Sequence, residues 1–490
     1  MDEAPRAAAL AAKLHSRYQP QAEADRYIEA LNLRQDAGCF IVIEPGLGYL
    51  IGALKKFFPE SRVVILHADN SFRGQGICPG IPAWYPDSDA GIQEFLESEI
   101  PETASVQIIE WKPAVRLFGD VYLGLVRESS EFIKRAAAGR RTGAAFGRRW
   151  VRNFFRNLML LQNTLLYKAA DVPIVITGSG PGLEAALPQI LACREGIFVI
   201  AASSSLPALA FGGITPDLVI TTDGGGWALL HLYACFRKSP DLSARPTMLA
   251  RPTVLARPTM LAMTLTAAIP SQCSGNSVLP MSDGSLWQNM ALNAAGIPSV
   301  YIPQRGTVTA SALDLAMVLG GADIFLAGVD LAVRGIQSHA RPYGFDHLFF
   351  GAACRFRPVY SQLFMRSSDI RSGGSHDIYA AWFNSRLASW PQRVFSLGSS
   401  NAALPVKALA CGSAYGGGMF KVVEKKGSGE QRCALAAQTL IAALDSPQYA
   451  AELVSELAPL LFPSRQDVTA GEVAEALHGI AGKYWGQGSG

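Results

Sequence analysis

Val172-Pro-Ile-Val-Ile-Thr-Gly-Ser-Gly-Pro-Gly-Leu183 is the stretch whose reading decides the fold. Its first half is apolar and β-branched, and its second half holds three glycines within five residues. That is a strand running into a turn that opens a helix. Glycine at Gly178, Gly180 and Gly182, with Ser179 and Pro181 between, would let backbone N–H groups approach a phosphate at the helix N-terminus. Runs of the same apolar kind recur at 197–201, Leu218–Thr221, 300–302, Ile324–Ala327 and 394–397, with helical segments between them such as 310–319. Continuous apolar strands alternating with helices predict a parallel sheet buried on both faces.

Upstream, Cys39-Phe-Ile-Val-Ile43 leads into Glu44-Pro-Gly-Leu-Gly48, a helical stretch 49–58, a second strand Arg62–Leu66 and Asp69. Strand, glycine turn, helix, strand and acid is the opening of a nucleotide-binding unit. The fingerprint is incomplete, because Ile51 stands where a third glycine belongs and Gly52 follows only afterwards. From 121 to 167 the chain reads as helix. Arg148, Arg152 and Arg156 share one face of it, either a solvated connector or a docking surface for an acidic partner or a phosphorylated ligand. The tail from 431 to 484 is rich in Ala, Leu and Glu and reads as helical. The predicted domains are therefore 1–120, Rossmann-like; 121–168, a helical connector; 169–410, the central parallel-sheet domain; and 411–490, a helical C-terminal region.

The chain has 490 residues, 49% hydrophobic and 17% charged, the balance of a well-packed α/β protein. A net charge of +3 gives no reason to expect nucleic acid. Eight scattered cysteines without a C-x-x-C pair suggest neither a disulfide framework nor a zinc knuckle, and buried free thiols in a reducing compartment are expected. The start has no apolar signal-peptide core, and no uncharged apolar run is long enough to span a membrane. A cytoplasmic protein is the expectation. Three copies of a hexapeptide, Ala-Arg-Pro-Thr-Met/Val-Leu, fill 244–261. Proline every sixth residue forbids a helix and disfavours a central strand, so the repeat reads as an expanded loop or edge segment.

Candidate chemistry gathers where strands end. Ser203, Ser204 and Ser205 close one run, and Asp217 and Asp223 flank the next. Ligands of parallel sheets bind at carboxyl edges, which favours Asp223, while Asp217 beside Pro216 suits a turn. Gly306-Thr307-Val-Thr309 opens a helix, with Thr307 or Thr309 a natural N-cap or a second phosphate-facing terminus. Asp330 follows the strand Ile324–Ala327. Then come His339, Tyr343, His347 and His376, so three of seven histidines fall within 38 residues. A metal, if used, would draw on Asp217, Asp223 and Asp330.

GSGPGL, PDLVITTD and GTVTASALDLAMVLGGADIFLAGVDLA together resemble the central domain of the motility-associated factor (Maf) flagellin glycosyltransferases. The same pattern is similar to the 6-hydroxymethylpterin diphosphokinase MptE-like proteins. GSGPGL, GVDLA, PYGFD and HDI also resemble bacterial sialyltransferases of surface lipooligosaccharides. The resemblance implies an N-terminal Rossmann-like domain, a central sialyltransferase-like catalytic domain and a helical C-terminus. It also implies transfer of a nonulosonic, sialic-acid-like sugar from a CMP-activated donor to Ser or Thr of flagellin or another protein acceptor. By this likeness 178–182 and Ser203 to Ser205 hold the nucleotide, with Asp223, Gly306, Thr307 and Asp330 around it. Tyr343 touches the donor phosphate, and His376 is the general base ahead of His339. Gly182 stands where serine is more usual, and the hexapeptide repeat has no counterpart. The alternatives are a diphosphokinase moving pyrophosphate from ATP with Mg2+, and a non-catalytic protein that binds flagellin.

Deleting one copy of the hexapeptide, 250–255, is expected to leave the melting temperature nearly unchanged, since loop-length changes are thermodynamically cheap. A calorimetric loss of many degrees would show that the repeat belongs to the core.

Overall fold

The computed structural model describes residues 3–34, 37–74, 80–100, 104–236, 260–273, 275–320, 322–372, 375–386, 390, 393–424, 427–465 and 467–485. Contacts divide the chain into two units, Met1–Thr142 and Gly143–Gly490.

In the first unit, β1 (Cys39–Ile43), β2 (Arg62–Leu66), β3 (Ala83–Trp84) and β4 (Val106–Ile109) form a parallel sheet of order β3-β2-β1-β4. Every residue of β1 is buried, as a central strand with helices on both sides demands. Gly48, at φ +90°, opens the helix Tyr49–Phe57, whose Ile51 packs into the core. The long helix Lys112–Leu160 is broken only at Gly119, where the backbone leaves helical geometry at φ +48°.

The second unit is built on β5 (Asn163–Tyr167), β6 (Ile174–Thr177), β7 (Phe198–Ala202), β8 (Leu218–Thr221), β9 (Met260–Thr264), β10 (Ser277–Ser282), β11 (Val300–Tyr301), β12 (Ile324–Ala327), β13 (Val394–Ser396) and β14 (Phe420–Glu424). The order is β13-β12-β6-β7-β8-β9-β10-β5-β14, with β11 beside the end of β10. All pairs are parallel except β5 with β14. From β6 the chain steps outward through β7, β8, β9 and β10, then returns to the other flank of β6 with β12. That reversal is the switch point of a doubly wound sheet, where the carboxyl ends of two neighbouring strands open a crevice. Alternate residues feed two cores. Val175, Val199 and Val219 meet Phe154, Trp287 and Leu440 on one face. Ile176, Ile200 and Ile220 meet Leu313, Leu319 and Phe383 on the other.

Several expectations change. The segment 163–167 is not helix but β5, and the tail contributes β14 before its helices Gly429–Leu444, Ala450–Leu461 and Ala470–Ala481. Those helices pack into the same core as the central sheet. The repeat through residue 259 lies outside the described residues, yet its last two, Met260 and Leu261, open β9, a central strand. A strand after a proline repeat escapes notice because Pro258 interrupts the apolar run from which a strand is read. β10 was hidden likewise by Pro280. That proline is in register with Met263 of β9, but on the other side of β10 it falls between residues 277–278, which pair with β5, and 281–282, which pair with β11. Nor are all thiols free: Cys193 and Cys411 form a disulfide, while Cys39, Cys273 and Cys433 are buried thiols and Cys354 an exposed one.

Asn157 clamps the long helix to the segment after β9. Its buried side-chain amide donates to the carbonyls of Leu265 at 2.8 Å and Ala267 at 2.7 Å. Asn157→Ala leaves both carbonyls unpaired in the core, and a loss of about 2–3 kcal/mol in urea unfolding is expected. A change within a few tenths would show that the clamp is dispensable.

Candidate active site

At the switch point the two glycine-bearing strand ends bind each other. The N–H of Gly178 donates to Ala327 O at 2.8 Å, and that of Gly180 to Gly328 O at 2.7 Å. The N–H of Gly182 points between the Asp330 oxygens, at 3.0 and 2.9 Å. Asp330 is 2% exposed and also accepts from Arg334 at 2.7 Å. Burial raises its pKa, against the lowering pull of Gly182 and Arg334. The crowding explains the glycines. A Cβ on Gly180 would sit 2.2 Å from Asp330 Oδ2, and one on Gly178 2.5 Å from the Gly328 carbonyl.

This geometry alters the expected role of the glycine loop. Its three glycine amides are already taken by protein acceptors, so they do not form an open phosphate cradle. What the loop does is fix its neighbours. Ser179 O accepts from Ala340 N–H at 2.8 Å, and Glu184, in the first turn of the next helix, accepts from Gln337 at 2.6 Å and Arg341 N–H at 2.8 Å. The segment carrying His339 is thereby tied to the end of β6.

His339 is the centre of a half-buried cluster. Its ring stacks on Tyr343 at 4.1 Å, and Nδ1 lies 2.9 Å from the Ser338 hydroxyl. His231, from the helix Ala228–Phe236, packs 5.0 Å from Tyr343 and 4.8 Å from Phe345. Gly344 makes room for it, since a Cβ there would meet His231 Nδ1 at 2.4 Å. Arg366, from the helix Val359–Ser372, lies over Tyr343, Phe345 and Phe349 at 5.4–5.6 Å, its charge pulling on the Tyr343 hydroxyl. Among the described residues, His231 Nδ1 and Arg366 Nε are buried with no partner.

The electrostatics follow from burial beside a cation. Burial, then the charges of Arg366, His231 and His376, hold His339 down at about 3. Burial and Arg366 hold His231 at about 4. Burial pushes the Tyr343 hydroxyl up to about 12, against the pull of Arg366. His376 is lowered more gently by burial, with Asp377 raising it.

His376 lies within a helix, Ser375–Arg386. The polar Ser-His-Asp triplet reads as loop, yet it supplies the first turn, where Asp377 complements the helix dipole. Tyr379, one turn on, shares the face of His376 and lies 3.7 Å from where a Cβ of Gly306 would stand. Thr307 is the N-cap of Val308–Leu319, although its hydroxyl faces Thr309 at 3.1 Å rather than a backbone amide. The Thr309 methyl in turn reaches the Gly178 position. A chain of neighbours therefore links Gly178, Thr309 and Thr307, and Gly306 lies against Tyr379, on the same helix as His376, whose charge acts on His339.

Other expected residues lie apart. Asp217 precedes β8, at the amino edge of the sheet, where it accepts from Arg194 at 2.8 Å and Val199 N–H at 2.7 Å. It cannot share a metal with Asp223, which is exposed at the opposite end of the strand and closes a turn with Gly225 N–H. Among the described residues no three His, Cys, Asp or Glu side chains converge as a metal set. Ser205 is buried on Thr177 and Ala202 O, whereas Ser204 is half-buried. His347 is exposed. The histidine that sequence reasoning missed is His231, a lone polar residue in an apolar helix. The unused signal for Arg366 was a cation amid LFMRSS.

Of the basic face, Arg156 donates to Ile269 O at 2.8 Å, and Arg148 and Arg152 line a cleft of about 540 Å3 with Glu472, Glu475 and Lys483. In the first unit, His15 Nε2 accepts from Leu47 N–H at 3.0 Å, so the incomplete fingerprint is covered by its own chain. Asp69 there binds Arg6 and Ser71.

The fold and site define a doubly wound α/β protein with a histidine-rich cluster at its carboxyl edge. Residues 148–335 match the family described as 6-hydroxymethylpterin diphosphokinase MptE-like. Two uncharacterized proteins of Treponema pallidum (strain Nichols) are similar. One is 28% identical over 316 residues, 64% of this chain and 64% of its own length. The other is 27% identical over 241 residues, 46% of this chain and 38% of its own. The chain thus spans less than two thirds of either relative. A solved Maf glycosyltransferase from Magnetospirillum magneticum AMB-1 aligns with 92% of this chain and 74% of its own at 13% identity, with a TM-score of 0.43.

Neutral burial of His231 and His339 makes stability pH-dependent. Unfolded histidine takes its proton near 6.5, but in the folded chain these two wait until about 4 and about 3. The unfolded state binds more protons between those limits, so their stabilisation is full above 6.5 and is lost as pH falls through the folded values. The urea midpoint should drop on going from about pH 7 to about pH 4.5, and His231→Gln with His339→Gln should flatten the drop. An unchanged slope in the double variant would contradict neutral burial.

Proposed function

We propose that the second unit is a glycosyltransferase using a nucleotide-activated sugar, with a CMP-linked nonulosonic sugar as donor and a Ser or Thr hydroxyl of a protein, flagellin in the sense of the resemblance, as acceptor. The observation that carries this reading is the packing of Tyr343, Arg366 and His339 after the carboxyl end of β12, with His376 near enough for its charge to act on His339. A half-buried guanidinium packed over a tyrosine ring suits a phosphate leaving group. A histidine of lowered pKa is unprotonated near neutrality and able to accept a proton.

In the proposed step His376 takes the acceptor hydroxyl proton as its oxygen bonds the anomeric carbon. The bond from that carbon to the phosphate oxygen breaks, and CMP departs with the electron pair, its charge met by Arg366 and the Tyr343 hydroxyl. His339, held at about 3, is too weak a base for this and serves as a neutral wall under Tyr343. Ser179, Ser203, Ser204 and the turn at Gly306 and Thr307 remain for the nucleoside. No metal is needed for a leaving group already activated as a phosphodiester.

The match of 148–335 to the MptE-like family favours a second reading, pyrophosphate transfer from ATP with Mg2+. Asp223 would then be the acid free to hold the cation, since Asp330 is engaged by Gly182 and Arg334. A thermal-shift series with CMP, CDP, UDP, GDP and ATP, each with and without Mg2+, separates the readings. A rise with CMP alone is expected, and a rise only with ATP and Mg2+ would replace the glycosyltransferase reading. Given CMP binding, His376→Asn should lower sugar transfer roughly 100-fold or more while leaving that rise intact. Near-wild-type turnover would remove His376 from the mechanism. Binding without turnover on any acceptor would favour a non-catalytic flagellin-binding role.

A further inference from the structure

Behind Arg366 the same helix turns an apolar face to solvent. The pair Asp346–Gly351 and Val359–Ser372 is joined by a tight turn. Cys354 N–H donates to Arg357 O at 3.2 Å, and Arg357 N–H returns to Cys354 O at 3.0 Å. These reciprocal bonds hold Arg355 and Phe356 at the tip, where Phe356 is 94% exposed. Tyr360 and Phe364, one helical turn apart, stack in parallel at 6.4 Å with 65% and 50% exposure, beside Met365 at 65%. Leu348 and Phe350 of the first helix are exposed as well. Gln362 ties the pair together through Phe349 O and Arg357 O, so the aromatics stand on a bonded scaffold.

Six large apolar side chains open to water on one short hairpin mark an interaction surface. Charge identifies the occupant. Between Asp346 and Asp369 the sequence holds no acidic residue and three arginines, of which Arg366 faces the candidate site. Arg355 and Arg357 are exposed on either side of Phe356. A second copy of the chain is disfavoured, because an isologous contact would bring both pairs of arginines together. Aromatics flanked by cations on a polar-backed helix suit the boundary between headgroups and acyl chains, where apolar burial and attraction to anionic lipid add.

We propose that the hairpin 346–372 docks the protein peripherally on an anionic phospholipid surface, inserting Phe356, Tyr360, Phe364 and Met365 while Arg355 and Arg357 meet lipid phosphates. This surface is separate from the nucleotide reading of the site, and its test does not depend on it. The full chain is mixed with vesicles of phosphatidylcholine alone or of phosphatidylcholine with phosphatidylglycerol, and sedimented. Binding to the anionic vesicles only, weakened by salt, is expected. Phe356→Ser with Phe364→Ser should lower the partition at least about tenfold, and Arg355→Glu with Arg357→Glu should do the same, with unchanged melting temperatures. Absence of sedimentation with anionic vesicles overturns the proposal. Equal binding to both vesicles, insensitive to the arginine variant, overturns it too. A concentration-dependent dimer in light scattering that the phenylalanine variant dissolves, without vesicle binding, assigns the face to a second copy instead.

Discussion

The carboxylate of Asp330, held by the backbone N–H of Gly182, is the contact on which the site depends. It joins the carboxyl ends of β6 and β12, neighbours in the sheet although about 150 residues apart in the chain. Charge-assisted bonds of this kind are stronger than neutral ones, and a nearly buried carboxylate left unpaired would be strongly destabilising. Arg334 supplies the compensating cation, and Asn401 N–H binds the Asp330 carbonyl at 2.9 Å, bringing in the segment after β13. With that junction closed, Ser179 O can receive Ala340 N–H, and His339 is carried to the mouth of the crevice. The glycines are thus steric permissions for a carboxylate of the protein itself.

The cluster beyond the junction has a consistent electrostatic character. Arg366 is its half-buried cation, and the surrounding rings respond by staying uncharged. His231 and His339 are held far below the ordinary imidazole value, and Tyr343 remains a phenol. The Asp346 carboxylate, which accepts from Tyr343 N–H at 2.8 Å, offsets part of the Arg366 charge. His376 stands at the rim, less deeply buried and flanked by Asp377, which keeps it nearer the range useful for proton transfer.

Much of this was legible in the chain. Strands β6, β7, β8 and β12 declared themselves because a strand buried on both faces is an unbroken apolar run, and the turns after them carried glycine or serine. The strands β9 and β10 did not, because Pro258 and Pro280 interrupt the local pattern and only the register of neighbouring strands makes them acceptable. The histidine group was half visible. His339 and His376 lie close in sequence, but His231 arrives from a helix after β8, a juxtaposition fixed by sheet order that no local motif encodes. The partner of the glycine loop was likewise out of reach. GSGPGL is compatible with a phosphate or a carboxylate, and which one it meets depends on the path of the chain 150 residues later.

The most direct measurement is a crystal structure of the chain with CMP. The nucleotide is expected at the carboxyl edge of the second unit, its phosphate against the Tyr343 hydroxyl and the Arg366 guanidinium, with His376 facing the side from which an acceptor approaches. Density for CMP at Gly46 and Gly48 of the first unit, with none against Tyr343 and Arg366, would contradict it.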